Sequence, residues 1–187
     1  MKVAALAGGV GGAKLADGLS QSQQIDQLTV IVNTGDDFRH FGLDISPDLD
    51  TVCYNLAGIQ EPGHGWGRNN DRWDTLEEIR KLDGPDWFQI GNKDLATHLE
   101  RTRRLAAGDK LSEITRDFCH AWGVSARVLP MSDDLVGTIV ETDQGPLPFQ
   151  DYFVRLACRP TVSGFQFSGA EKARPAPGVV QALEDAD

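Results

Sequence analysis

The sequence predicts a doubly wound α/β fold, with a mostly parallel, Rossmann-like sheet and an added β-hairpin. Three observations carry that expectation. A short apolar strand, Val3 to Ala7, breaks into Gly8-Gly9-Val10-Gly11-Gly12 and then into a helix, Ala13 to Leu19. A second strand, Leu28 to Asn33, is apolar on both faces, as in a parallel sheet covered by helices. Strand, helix, strand over this length is a βαβ unit, and open sheets built from such units bind ligands beyond the carboxyl ends of their strands.

The glycines after the first strand let the backbone turn sharply and approach a ligand closely, because no Cβ intervenes. Free N–H groups and the positive end of a helix dipole then converge on one spot, which suits a phosphate. The motif is non-standard: Ala13 precedes Lys14 and Leu15 follows it, so it is not a P-loop, and Lys14 stands where the dinucleotide fingerprint needs a third glycine. A tight turn without ligand is the competing reading. After the second strand comes Asn33-Thr34-Gly35-Asp36-Asp37, where Asp36 or Asp37 could meet a ribose hydroxyl or a magnesium ion, or serve only as solvated turn residues.

Ser46 and Pro47 form a helix start signal, and the apolar Leu49, Val52, Cys53 and Leu56 follow at helical spacing up to Gly58. Asp48 and Asp50 project to different faces of that helix, so one carboxylate can face the crevice. Trp66 and Trp73 sit in a glycine-rich loop, placed either to stack on a planar ligand or to anchor the loop by burial. Asp74 is expected to cap a helix holding Leu76, Ile79 and Leu82. A short strand, Trp87 to Ile90, is expected to end in Gly91-Asn92-Lys93-Asp94 and lead into a helix from Leu95 to Ala107, which puts Lys93 at the same crevice. Arg101, Arg103 and Arg104 read as that helix's solvated basic face. Ser112 opens a helix stopped by Gly123, and Arg127 to Pro130 is a further strand. Val136 to Thr142 and Leu147 to Phe149 read as a hairpin, with Phe149 to Arg155 continuing it. Val162 to Phe167 adds an extended piece, and Gly178 to Leu183 a last helix.

At 187 residues, 40% hydrophobic and 25% charged, the chain suits a single α/β domain over 1–187, expected to lack the C-terminal part of its fold because it stops where another strand is due. Lysine and arginine total 18 against 28 acids, a formal charge of −10, which argues against nucleic-acid and membrane partners. Cys53, Cys119 and Cys158 have no zinc-like spacing and read as reduced thiols. Without a leader or a membrane-length apolar run, the expected location is cytoplasmic.

Several stretches together resemble one family. Gly8 to Leu15, Val32-Asn33-Thr34-Gly35-Asp36-Asp37, Ile45-Ser46-Pro47-Asp48-Leu49-Asp50-Thr51-Val52, Asp94-Leu95-Ala96-Thr97-His98, Leu129-Pro130-Met131-Ser132-Asp133 and Phe149 to Arg155 are similar to the phosphoenolpyruvyl/2-phospho-L-lactate transferases of deazaflavin factor-420 coenzyme biosynthesis (CofD/FbiA type). The resemblance implies a magnesium-dependent (Mg2+) transfer of a phospholactyl or phosphoenolpyruvyl group. The donor is a guanosine diphosphate ester of lactate or enolpyruvate, the ribityl hydroxyl of the deazaflavin Fo attacks, and GMP leaves. It assigns Gly9, Val10, Gly11, Gly12, Lys14 and Asn33 to the nucleotide, and Asp50 and Lys93 to Fo, with Asp50 catalytic. Asp36, Asp37 and Asp48 are the metal candidates, and a homodimer is left open.

Lys93 stands where some relatives have arginine, keeping the charge but losing the planar fork. Phosphoryl-type transfer asks chiefly for positioning and charge neutralisation, which a glycine loop, metal-binding carboxylates, a lysine and a proton-accepting carboxylate supply. The competing function is a non-enzymatic regulator of carbon metabolism or cell-wall growth that binds nucleotide sugars.

Overall fold

The structure is a computed structural model describing residues 1–187. In chain order, β1 (Lys2–Ala7), α1 (Val10–Ser20) and β2 (Gln27–Val32) form the expected βαβ unit. A short hairpin, β3 (Phe38–His40) and β4 (Leu43–Ile45), leads into α2 (Pro47–Leu56). Three helices follow: α3 (Asp74–Lys81), α4 (Asn92–Ala106) and α5 (Leu111–Ala121). Next come β5 (Arg127–Pro130), β6 (Gly137–Thr142), β7 (Gly145–Pro148), a π-helical turn (Asp151–Arg155), β8 (Val162–Ser168) and α6 (Val179–Glu184).

The parallel sheet has the order β1-β2-β5. Val3 pairs with Leu28 and Ala7 with Val32, and Thr29 pairs with Arg127 on the far side of β2. One face packs Ala5, Ala7, Val30, Val32 and Val128 against Ala13 and Ala16 of α1, Leu49, Val52 and Cys53 of α2, and Leu111 and Cys119 of α5. The other face packs Ile31 and Leu129 against Ala176 and Val179. Helices cover the first face, whereas the second is covered only in part, by the segment around Ala176 and Val179, and Leu6 of β1 remains 70% exposed. The expected β6–β7 hairpin is joined by β8, antiparallel to β6 with Val140 opposite Phe165, to give a second sheet of order β7-β6-β8. Cys53 and Cys119 are buried free thiols and Cys158 is exposed. No helix is long and apolar enough to cross a membrane.

Besides the β3–β4 hairpin, which the sequence reading does not contain, four elements depart from it. The helix after β1 starts at Val10, so Gly11 and Gly12 belong to its first turn and only Gly8 and Gly9 form the loop. Residues 87–90 form no strand. Their aromatics are drawn onto the β3–β4 hairpin instead, Phe88 edge-on to Phe38 at 4.8 Å between ring centroids and Trp87 against His40 at 5.1 Å. α4 then begins at Asn92 because Asp71, from the preceding loop, accepts the backbone N–H groups of Lys93 (2.8 Å) and Asp94 (3.1 Å). Phe149 to Arg155 coils into the π-helical turn rather than continuing the hairpin, closed by Arg155 on Asp151 at 2.6 Å and ended by Ala157 and Cys158 at φ 49° and 57°.

The first helix sits close on β1 because it presents small residues there. A Cβ on Gly12 would lie 2.8 Å from the Cβ and 2.9 Å from the Cα of Ala7, whereas one on Gly11 meets nothing within 4 Å. Gly12→Ala is therefore expected to destabilise the protein by about 1–3 kcal/mol, as overpacking does. Gly11→Ala removes a helix-disfavouring glycine at no steric cost and should leave the melting temperature unchanged or raised. Thermal melts of the two variants check this, and equal melting temperatures would contradict it.

Candidate active site

A cavity of about 610 Å³ opens at the carboxyl ends of β1 and β2. Gly8, Gly9 and Val10 line one side, and Asn33, Asp36, Asp48 and Asp50 line the floor. Five aromatic rings, Tyr54, Trp66, Phe88, Phe149 and Phe153, complete the walls. Phe149 and Phe153 stack nearly parallel, 5.3 Å apart at 12°, because the π-helical turn places both on one side. Four carboxylates (Asp36, Asp48, Asp50, Asp94) face this space, and no lysine or arginine does.

Two of those carboxylates converge on one amide. Asn33 fixes its own orientation by accepting the Gly35 N–H at 3.0 Å, then donates from Nδ2 to Asp36 Oδ2 and to Asp48 Oδ2, both at 3.0 Å. Asp48 lies directly against the glycine turn: a Cβ on Gly9 would come 2.8 Å from Asp48 Oδ1. Burial raises the Asp36 carboxyl above its ordinary value, against hydrogen bonds from Thr138 and Asn33. Burial raises Asp48 as well, and the neighbouring Asp36 charge adds to it. Two desolvated acids sharing one neutral donor lack a cation to balance them.

A second group lies deeper, between α2 and α4. Asp50, 5% exposed, receives both arms of Arg101, which is 3% exposed; Nη1 donates to Oδ2 at 3.1 Å and Nη2 to Oδ1. Arg101 Nη1 is also 3.2 Å from His98 Nδ1. His98 Nε2 lies 3.6 Å from Asp94 Oδ2, beyond hydrogen-bonding distance and otherwise unpartnered. The Tyr54 hydroxyl donates to Asp94 Oδ1 at 2.7 Å and is 2.8 Å from Thr97 Oγ1. Burial works to raise the Asp94 carboxyl, but His98, Tyr54 and Arg101 together hold it below its ordinary value. Burial works against the charge on Arg101, and Asp50 more than offsets it, so the guanidinium is held more tightly protonated than usual. Asp50, Asp94 and His98 each offer a ligand atom within 4.8 Å of one another, close enough to hold a metal ion.

The family described as 2-phospho-L-lactate transferase CofD matches residues 3–187. This chain belongs to the CofD family. Among its relatives, a protein named phosphoenolpyruvate transferase from Streptomyces griseus is 45% identical over 192 residues, covering 100% of this chain and 60% of the relative. A protein of the same name from a Mycobacterium species (strain KMS) is 41% identical over 207 residues, covering 100% of this chain and 62% of the relative. The chain thus spans about three fifths of the length of these relatives. A crystal structure of a UPF0052-family protein from Bacillus halodurans superposes with a TM-score of 0.63 at 16% identity, covering 100% of this chain and 57% of that one, so it shares the fold.

Within this CofD-family cavity the expected residues separate. Gly9, Val10, Asn33, Asp36, Asp48 and Asp50 all line it. Gly11, Gly12 and Lys14 do not: Gly12 packs on Ala7, and Lys14 is exposed on α1. Lys93 does not meet Asp50. It is exposed at the start of α4, where its Nζ donates to the Asn69 carbonyl at 2.9 Å. Asp37, grouped with Asp36 and Asp48 as a metal candidate, turns away to accept the Ser46 hydroxyl at 2.7 Å and lines a different cavity. Ser46 therefore spends its side chain on Asp37, and α2 has no side-chain cap. Sequence reasoning missed Arg101, assigned to a solvated face, and His98; the helical spacing of Asp94, His98 and Arg101 was the available signal.

Asp37 yields a pH dependence. Burial raises its carboxyl well above the ordinary value, so the folded state binds this proton more tightly than the unfolded chain does. Its stabilising contribution is complete below the ordinary carboxylate pKa and is lost as pH rises through the raised value. Asp37→Asn keeps the shape of the protonated acid and should raise the melting temperature at pH 8 while leaving it nearly unchanged at pH 4. Melts at the two pH values check the sign, and a lowered melting temperature at pH 8 would refute it.

Proposed function

We propose that this chain carries the reaction centre of a cytoplasmic, magnesium-dependent transferase of factor-420 coenzyme biosynthesis. It moves a phospholactyl or phosphoenolpyruvyl group from a guanosine diphosphate ester to the ribityl hydroxyl of Fo, with GMP as the leaving group. The observation that carries this reading is the charge pattern of the cavity. Aromatic walls suit a planar acceptor, yet the phosphate-facing floor holds carboxylates and no cationic side chain. A diphosphate enters such a site only with a divalent cation.

Magnesium fits the donors present. Asp36 and Asp48 offer hard carboxylate oxygens beside the Gly8-Gly9 turn, and a dication would draw their raised pKa values down. Bound there, magnesium supplies charge neutralisation for the diphosphate and the departing GMP. The chain's own residues do the rest. The start of α1, where unpaired N–H groups point, receives a phosphate, and Gly9, lacking a Cβ, lets Asp48 close on that turn. Asn33 holds the two carboxylates together. Trp66, Phe88, Phe149 and Phe153 enclose a planar ring and exclude water from it.

Asp50 orients the acceptor hydroxyl and takes its proton. Arg101 uses one lone pair on each Asp50 oxygen, which leaves others free toward the cavity.

Asp50→Asn keeps the size of the side chain and removes the proton acceptor. Turnover of Fo with the lactyl ester of guanosine diphosphate should fall about 10²–10⁴-fold, while GDP affinity measured by calorimetry stays unchanged. Near-normal turnover would remove Asp50 from the chemistry, and an absence of Fo binding by fluorescence would overturn the transferase reading itself.

A further inference from the structure

Asp50, Asp94 and His98 have the residue types and spacing of a metal site, and they border the same cavity as Asp36 and Asp48. What separates the two groups is Arg101. Its guanidinium is buried in the first group, with two contacts to Asp50, one to His98 Nδ1 at 3.2 Å and one to the Asp44 carbonyl at 3.4 Å. Its central carbon Cζ lies over the Phe118 ring, 5.9 Å from the centroid, which leaves it little room to swing out. A divalent ion bound by Asp50 and His98 would sit beside a fixed positive charge among buried side chains, where repulsion is weakly screened. His98 is also compromised as a ligand. With Arg101 donating to Nδ1, the ring proton falls on Nε2, so neither nitrogen offers a free lone pair. Around Asp36 and Asp48 the partners are neutral, the Asn33 amide shared by both and the Thr138 hydroxyl on Asp36.

We propose that Arg101 is a positioning residue, the resident cation of the buried Asp50–Asp94–His98 group, which fixes the Asp50 carboxylate at the cavity wall and closes that group to divalent ions. This rests on the metal reading above for the placement of the ion at Asp36 and Asp48, but not for the closure of the Arg101 group. The two carboxylate-rich groups then have separate tasks, one holding the metal and one holding the acceptor's hydroxyl partner still.

Manganese serves as the probe, followed by electron paramagnetic resonance and by electron–nuclear double resonance for histidine nitrogen. The unmodified protein should bind Mn2+ without nitrogen coupling. Asp48→Asn should weaken that binding on the order of tenfold or more, as loss of a ligand or its support does. Asp50→Asn should leave it unchanged.

Arg101→Met should create an additional site that shows nitrogen coupling. Arg101→Lys keeps the charge without the fork, so it should create no such site yet should lower kcat for Fo with GDP affinity retained. Nitrogen coupling in the unmodified protein overturns the proposal. So does loss of Mn2+ binding in Asp50→Asn, or a folded Arg101→Met protein with no new site. If the unmodified protein binds no Mn2+ and Arg101→Met gains a nitrogen-coupled site, the magnesium reading fails and the role of Arg101 stands.

Discussion

The buried ion pair between Arg101 and Asp50 ties the site to the fold. It joins α4 to α2, and α2 packs on the sheet through Leu49, Val52 and Cys53. Asp50 is the polar neighbour of that apolar stripe, so the packing that seats α2 also carries its carboxylate to the cavity wall. Such a pair adds little net stability over well-packed apolar groups, but removing one partner leaves an unpaired buried charge and costs on the order of 3–5 kcal/mol. That asymmetry makes the pair a constraint: once α2 carries Asp50 inward, α4 must bring a cation to meet it. Asp94, His98 and Tyr54 then complete a network whose members hold one another in place.

A second constraint is electrostatic. The chain carries a net charge of −10, and the cavity concentrates four of its carboxylates. Arg101 neutralises one group from within, while Asp36 and Asp48 have only the Asn33 amide between them. The difference is visible in their protonation: Asp94 lies below its ordinary pKa, and Asp36 and Asp48 lie above it. The cavity thus holds two kinds of acidic group, one balanced by a cation of the chain itself and one balanced by none.

Much of the fold was legible because its signals are local. The apolar runs of β1 and β2, the Ser46-Pro47 start of α2, the Gly58 and Gly123 stops and the β6–β7 turn all state their roles within a few residues. The failures share one cause. Residues 87–90 have a strand-like composition, but the unpredicted β3–β4 hairpin offers their aromatic rings a surface to bury against. The segment before β8 alternates like a strand, yet it coils so that Phe149 and Phe153 stack over the cavity. Each meets a partner far away in the chain: the hairpin in the first case, and in the second the Asp36 carbonyl, which accepts from Gln150 Nε2 at 3.4 Å.

Local sequence is enough for the βαβ opening, for a cavity at the strand ends, and for Gly9, Asn33, Asp36, Asp48 and Asp50 as residues that line it. Residue type and short spacing are enough for those. Which charges meet depends on packing between elements distant in the chain. Lys93 and Arg101 are both cations on one helix, and nothing local distinguishes them. Lys93 lies at the exposed start of α4, held by the Asn69 carbonyl, while Arg101 falls on the buried side facing Asp50. The docking of α4 against the rest of the chain fixes which side of it is buried, and a buried carboxylate is stable only where that docking delivers a guanidinium to it.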